Sequence, residues 1–249
     1  MTKPPRGYKG SKRSQGESGQ VRMKHTKVKT ARGRKLSSKL WLERQLNDPY
    51  VIEAKRKGYR SRAAFKLIEL NEKFDFLKSG ARVVDLGAAP GGWSQVAAEI
   101  VLAGKNAGHG KVVAIDIQEM EEIPGVEILH QDFMADEAPD ALKAALGGEA
   151  DVVMSDMAPF AIGHASTDHL RIMALCEAGL HFALEVLAPD GVFLAKVLQG
   201  GTEGDLLTIL KRDFRIVRHA KPPASRQDSA EMYVVAQGFR GRQTHEEAG

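Results

Sequence analysis

The sequence predicts an α/β fold: a seven-stranded, mostly parallel sheet with helices on both faces, preceded by a basic N-terminal arm. Three observations carry that expectation. Short aliphatic runs recur from about residue 80 onward, helical stretches separate several of them, and a glycine-rich turn follows the first run directly. The runs are continuously apolar rather than alternating, as strands covered on both faces must be.

The arm is read from charge. Residues 1–40 hold 13 Lys/Arg and one acid, Glu17, a net charge of +12, which leaves 23 basic and 31 acidic residues in the rest of the +4 chain. A basic, Gly/Ser-rich and nearly aromatic-free segment cannot bury enough apolar surface to fold alone. It is expected to be a disordered RNA-binding arm, because each phosphate neutralised releases counterions; a solubility tail is the plainer alternative. Residues 40–57 (LWLERQLNDPYVIEAKRK) mix apolar and charged positions in helical style, interrupted at Pro49. Residues 61–77 form an amphipathic helix pattern, with Ser61 as its N-cap and Ala64, Leu67, Ile68 and Leu70 on one face. Strands are expected at 82–86, 111–117, 126–129, 151–155 and 191–197, and helices at 92–103, 137–146 and 167–188. After residue 200 come a helix at 203–212 and strands at 214–220 and 231–239, the last two suggesting a hairpin-like edge. The domains are thus the arm at 1–40, one α/β domain at 41–239, and a flexible tail at 240–249.

Composition excludes several classes. With 249 residues, 43% of them hydrophobic, the chain is long enough for one substantial core. It has no apolar run of membrane-spanning length, and its N-terminus lacks the apolar segment of a secretory signal. The single cysteine, Cys176, rules out an internal disulfide framework or a cysteine-cluster metal site, and no metal is expected. A cytoplasmic, monomeric protein is the expectation.

The turn DLGAAPGGWSQ (85–95) follows the first strand and opens a helix. Gly87 permits a tight turn, Pro90 stiffens the loop, and Gly91 and Gly92 let the backbone approach a ligand closely. It matches neither a dinucleotide fingerprint nor a phosphate loop. Asp116, with Ile117 beside it, closes the second strand, where an acid can accept hydrogen bonds from two ribose hydroxyls. Its distance from Gly87 exceeds the usual spacing of about 20 residues, and the insertion GKNAGHG (104–110) accounts for the excess. Asp132 follows the third strand, placed for an adenine amino group, with Phe133 available for stacking. With Asp85, which ends the first strand, these make three acids at successive strand ends; each alone reads as a cap, but together they point to a nucleotide-like ligand.

Four further residues carry chemistry. Asp156 ends the fourth strand in SDMAPF, and Lys196 sits in the aliphatic run FLAKVLQGG, where a charge is costly unless partnered or snorkelling. Glu231 opens the last strand, and Lys66 lies in the helix SRAAFKL; the bland readings are an edge carboxylate and a solvated lysine. Together they suit activation of a hydroxyl, which needs a base and in-line positioning. A lysine serves as base only when desolvation or a second cation lowers its pKa. The basic residues Lys55, Arg56, Lys57, Arg60 and Arg62 lead toward Lys66 and are expected to contact RNA.

YRSRAAFKL, VVDLGAAPGGWSQ, SDMAP, KVLQG and SAEMYVV, in this order over residues 40–239, resemble the FtsJ/RrmJ family of ribosomal-RNA ribose 2′-O-methyltransferases. The resemblance implies a Rossmann-like fold that uses S-adenosylmethionine (SAM) as methyl donor. It also implies a tetrad of Lys66, Asp156, Lys196 and Glu231 with Lys196 central, and SAM contacts from Gly91, Trp93, Asp116, Asp132 and Asp156. The substrate it implies is a uridine in large-subunit (23S) ribosomal RNA or its ribosomal particle. The long basic arm and the 104–110 insertion depart from the family. Two alternatives stay open: an amino-group methyltransferase, whose Asn/Asp-Pro-Pro-aromatic motif residues 156–160 only approximate, and a non-catalytic RNA-binding assembly factor.

Deleting residues 1–38 is expected to weaken RNA binding and flatten its salt dependence. Identical affinity across a salt series would reduce the arm to a solubility tail.

Overall fold

The computed structural model describes residues 36–104, 107–159, 165–199 and 204–242. Most of the expected arm and most of the expected tail lie outside them. The chain divides after Asn47 into two units. The first contributes helix α1 (Leu36–Asn47) among the described residues; the second starts at Asp48 and carries the sheet.

Local chemistry sets the first boundaries of the second unit. The Asp48 carboxylate accepts the Tyr50 N–H at 3.0 Å, and Pro49 fills the first position of α2 (Pro49–Lys57). Gly58, at φ +79°, ends that helix. Helix α3 (Ala63–Phe74) starts two residues later than expected, and Ser61 is not its N-cap. Arg62 is already helical, and the backbone bonds Ala64 N–H to Ser61 O and Phe65 N–H to Arg62 O close the first turn. The turn supplies its own acceptors, so the Ser61 hydroxyl caps nothing and has no partner among the described residues. The apolar face is as expected: Ala64, Leu67 and Leu70 are buried, with Ile68 at the margin.

Seven strands follow: β1 (Arg82–Leu86), β2 (Lys111–Asp116), β3 (Val126–His130), β4 (Ala150–Ser155), β5 (Leu187–Leu198), β6 (Phe214–Ala220) and β7 (Glu231–Phe239). Between them lie α4 (Gly92–Val101), α5 (Ala138–Leu146), α6 (Ala165–Val186) and α7 (Asp205–Asp213). The sheet order is β3-β2-β1-β4-β5-β7-β6, parallel from β3 to β5, with β7 antiparallel to both neighbours. Successive strand residues face opposite layers. Val83, Val112, Val152 and Leu194 pack with α3 and α4, whereas Val84, Val113, Val153 and Phe193 pack with α5, α6 and α7.

The last two strands do pair, but β7 inserts beside β5 and leaves β6 at the edge. Burial explains the choice. Tyr233–Ala236 of β7 are covered on both sides, while Arg215 and Arg218 keep β6 in contact with water.

The connections run outward from β1 to β3 on one side and from β4 to β5 on the other. The crevice outside the carboxyl ends of β1 and β4 is therefore the switch point where ligands bind in open α/β sheets.

Phe193→Ala, at a fully buried β5 position, is expected to cost about 3–5 kcal/mol of stability. Denaturant unfolding checks this; a loss below about 1 kcal/mol would mean the two layers do not depend on the ring.

Candidate active site

A cavity of about 490 Å³ opens at that switch point. Gly87, Asp116, Ile117, Asp132, Phe133, Asp156 and Lys196, all expected site residues, line it together. Gly87 adopts φ +73°, and a side chain there would run into Met157, with Cγ 2.5 Å and Cα 2.9 Å from the added carbon. Only glycine lets β1 and the post-β4 segment approach so closely. Asp116 is held by backbone amides, accepting from Ala89 N–H and Gln118 N–H at 2.8 Å each. The Asp132 carboxylate accepts the Met134 N–H at 2.9 Å.

Phe133 reaches the cavity, but its ring packs edge-on against Phe182 in the core, with centroids 5.9 Å apart. Ile117 and Met134 present the more exposed apolar surface, each about half exposed. Met134, Gln118, Arg171 and Leu175 line the cavity without having been anticipated. They lie on loops and on the α6 face, where no periodicity marks a residue as ligand-facing.

Pro90, Gly92 and Trp93 line a smaller adjoining cavity with Asp85 and Asp156. Trp93 is buried; its indole N–H donates to Ala63 O at 2.8 Å and its ring packs on Tyr233. Gly91, at φ +105°, caps α4 and is wedged between Ile123 and Arg60.

Asp85, the first of the three strand-end acids, does not line the main cavity but is fully buried beneath the glycine turn. One carboxylate oxygen accepts the Ser94 hydroxyl at 2.6 Å, and the other has no partner among the described residues. Burial pushes its pKa up to about 7; the Ser94 bond opposes this, and the charges of Asp156 and Asp116 reinforce it.

Lys66 on α3, Asp156 after β4, Lys196 on β5 and Glu231 at the start of β7 converge beside the main cavity. The Lys196 ammonium lies 2.7 Å from Asp156 Oδ1 and donates to the Asp156 carbonyl at 2.8 Å. The Lys66 ammonium contacts Glu231 at 2.7 Å and stands 4.0 Å from Asp156 Oδ2, while Lys196 and Glu231 are 3.9 Å apart. Two cations and two carboxylates alternate, so each buried charge faces an opposite one.

Tyr233 belongs to this network and was missed. Its hydroxyl donates to Asp156 Oδ1 at 2.8 Å and accepts from Lys66 at 3.1 Å. Strand alternation could have found it: Tyr233 lies two residues beyond Glu231 and so on the same face. Burial, followed by the charges of Asp156 and Glu231, raises its pKa well above the usual value, so it is a protonated donor at neutral pH. Burial also pushes the Asp156 pKa upward, but the ammoniums of Lys196 and then Lys66 outweigh it and hold the carboxyl below its ordinary range. Ser225 completes the network by donating to Glu231 at 2.8 Å.

The basic run does not stay together. Lys55, Arg56 and Lys57 are exposed at the end of α2, with Arg56 paired to Glu53. Arg62 turns inward, donating to Ala224 O at 2.6 Å and pairing with Asp48 at 3.0 Å. Arg60 donates to the carbonyls of Pro90, Glu121 and Glu122. Among the described residues no cluster is arranged to hold a metal ion, and no helix is long and apolar enough to cross a membrane.

The model of the FtsJ-like methyltransferase family matches residues 59–239. The chain belongs to the FtsJ-like methyltransferase family. It is 67% identical to a ribosomal RNA large subunit methyltransferase E of Paramagnetospirillum magneticum, over 91% of this chain and 93% of that one. It is 59% identical to the protein of the same name from Parvibaculum lavamentivorans, over 95% of both chains. A crystal structure described as a ribosomal RNA methyltransferase of Plasmodium falciparum covers 74% of this chain and all of that one, at 33% identity and a TM-score of 0.65. As a methyltransferase of this family, the chain needs a methyl donor, and the switch-point cavity is where its fold places a ligand.

Asp85 holds its proton to about pH 7 in the fold but releases it near its ordinary value of 3.8 when unfolded. Stability contributed at this position is therefore greatest below about pH 4, falls as pH rises, and is lowest above about pH 7. Asp85→Asn is expected to remove that slope, so its melting temperature gains on the wild type between pH 5 and pH 8. Parallel melting curves against pH would refute a buried protonated Asp85.

Proposed function

We propose that this methyltransferase transfers a methyl group from SAM to a ribose 2′-hydroxyl, that of a uridine, in large-subunit ribosomal RNA. The observation that carries the reading is the convergence of Lys66, Asp156, Lys196 and Glu231 at the edge of the cavity. The large-subunit RNA substrate is supported by the names of relatives that this chain matches over most of its length.

The residues suit the donor. The cavity joins the strand-end acids Asp116, Asp132 and Asp156, a turn in which a Gly87 side chain would not fit, and apolar surface at Ile117 and Met134. Asp116 would hold ribose hydroxyls, Asp132 an adenine amino group, and the Gly91–Trp93 backbone the amino-acid end. When bound, SAM supplies a methyl group on a positively charged sulfur.

The protein supplies position and a proton acceptor. Lys196 Nζ faces the cavity, and its two bonds to Asp156 aim it. As a neutral amine, its own proton first released to solvent, Lys196 would take the 2′-hydroxyl proton while the methyl group passes from the donor sulfur to that oxygen. Asp156 orients Lys196, while Lys66 and Glu231 hold the ribose and balance charge. Tyr233 holds, through its hydroxyl, the same Asp156 oxygen that Lys196 contacts.

Methyl transfer from radiolabelled SAM to ribosomal particles lacking native modifications, followed by nucleoside analysis, tests this. Label is expected in a 2′-O-methyluridine and absent with Lys196→Ala, a loss of at least about a hundredfold, while SAM affinity stays within about threefold. Label on a base nitrogen would mean an amino-group acceptor. No label with RNA still bound would mean an assembly factor, and equal loss of SAM binding would make Lys196 a binding residue.

A further inference from the structure

The segment Gly58–Arg62 links the basic end of α2 to α3 and lies beside the glycine turn. Arg60 is fastened there through its backbone N–H and both terminal guanidinium nitrogens. Its backbone N–H donates to Gln95 Oε1 on α4 at 2.8 Å, and Gln95 Nε2 donates back to Gly58 O at 3.1 Å. One guanidinium nitrogen donates to Pro90 O at 3.3 Å and Glu121 O at 2.8 Å; another donates to Glu122 O at 2.7 Å.

These carbonyls lie on two different segments that contribute lining residues to the cavities. Pro90 lies in the glycine turn after β1. Glu121 and Glu122 follow Asp116, Ile117 and Gln118, which line the main cavity from the end of β2. Here Gly91 is pinched: a side chain there would meet Ile123 Cδ1 at 2.6 Å and the Arg60 guanidinium at 3.2 Å. We infer that Arg60 is a positioning residue for donor binding, a fork that ties the glycine turn to the segment after β2, rather than an RNA contact.

Chemistry favours that division of labour. Charge-assisted bonds to carbonyls are stronger than neutral ones, and a planar guanidinium can reach several acceptors at once where an ammonium offers a single point. A guanidinium that already serves three carbonyls has few donors left for a phosphate. Lys55, Arg56 and Lys57, on the exposed end of α2, keep the surface position that RNA contact requires.

The inference rests on the reading that the cavity takes SAM, and one set of measurements separates the two. Binding of S-adenosylhomocysteine to the full chain is measured by calorimetry, RNA binding by filter assay, and KM for SAM with kcat on ribosomal particles. Wild type that does not bind S-adenosylhomocysteine overturns the cavity assignment itself. Given wild-type binding, Arg60→Ala is expected to weaken S-adenosylhomocysteine and raise KM for SAM on the order of tenfold. RNA affinity and kcat at saturating SAM should stay within about twofold of wild type. Arg60→Lys should recover only part of the loss, and it carries the comparison if Arg60→Ala fails to fold. Full recovery by lysine would show that charge alone matters and overturn the fork. Unchanged donor affinity, or a fall in RNA affinity with donor affinity intact, overturns the inference outright.

Discussion

The carboxylate of Asp156 lies 2.7 Å from the ammonium of Lys196 and 4.0 Å from that of Lys66. Withdrawing any of these charges from water alone would cost several kcal/mol. Because they are withdrawn together, with Glu231 as the second anion, every member depends on the others. That dependence constrains the architecture. It requires α3, the end of β4, β5 and the start of β7 to meet within a few ångströms, with Asp156 and the glycine turn lining one small cavity.

The antiparallel insertion of β7 is what satisfies the constraint from one side. Its register with β5 sets Tyr233 opposite Lys196 and Glu231 opposite Leu198. Period-two alternation then presents Glu231 and Tyr233 on the same face. Had the last strand remained at the edge, those groups would lie one strand further out, about 5 Å more distant from Lys196 across the sheet. The packing of β7 inside the sheet and the chemistry of the site are therefore one decision. On the opposite side, the segment from Asp48 to Lys66 commits three charged groups to structure: Asp48 and Arg62 pair with each other, Arg62 also bonds Ala224, and Arg60 bonds three carbonyls.

Much of this was legible in residue order. The strand runs at 82–86, 111–117 and 151–155 match β1, β2 and β4 closely, because strands covered on both faces leave an unbroken aliphatic signature. The break at Pro49, the buried face of α3 and the acids at the strand ends were readable for similarly local reasons. Ser61 was misread because capping depends on the backbone of the residue after it, and Arg62 is already helical. The burial of Asp85 and the part played by Tyr233 were not legible, because they come from packing and from partners 9 and 77 residues away in sequence.

The sequence by itself determined the alternation of strands and helices, the glycine turn, the charge asymmetry and the family motifs that name the tetrad. Each of these is carried by order along the chain, where periodicity, turn chemistry, motif spacing and local composition act. Only the tertiary structure decided that β7 lies inside β6, that four segments between Lys66 and Glu231 share one charge network, and that Arg60 and Arg62 turn inward. Those outcomes depend on which surfaces are covered and which charges become neighbours, and both are settled by packing across the whole sheet.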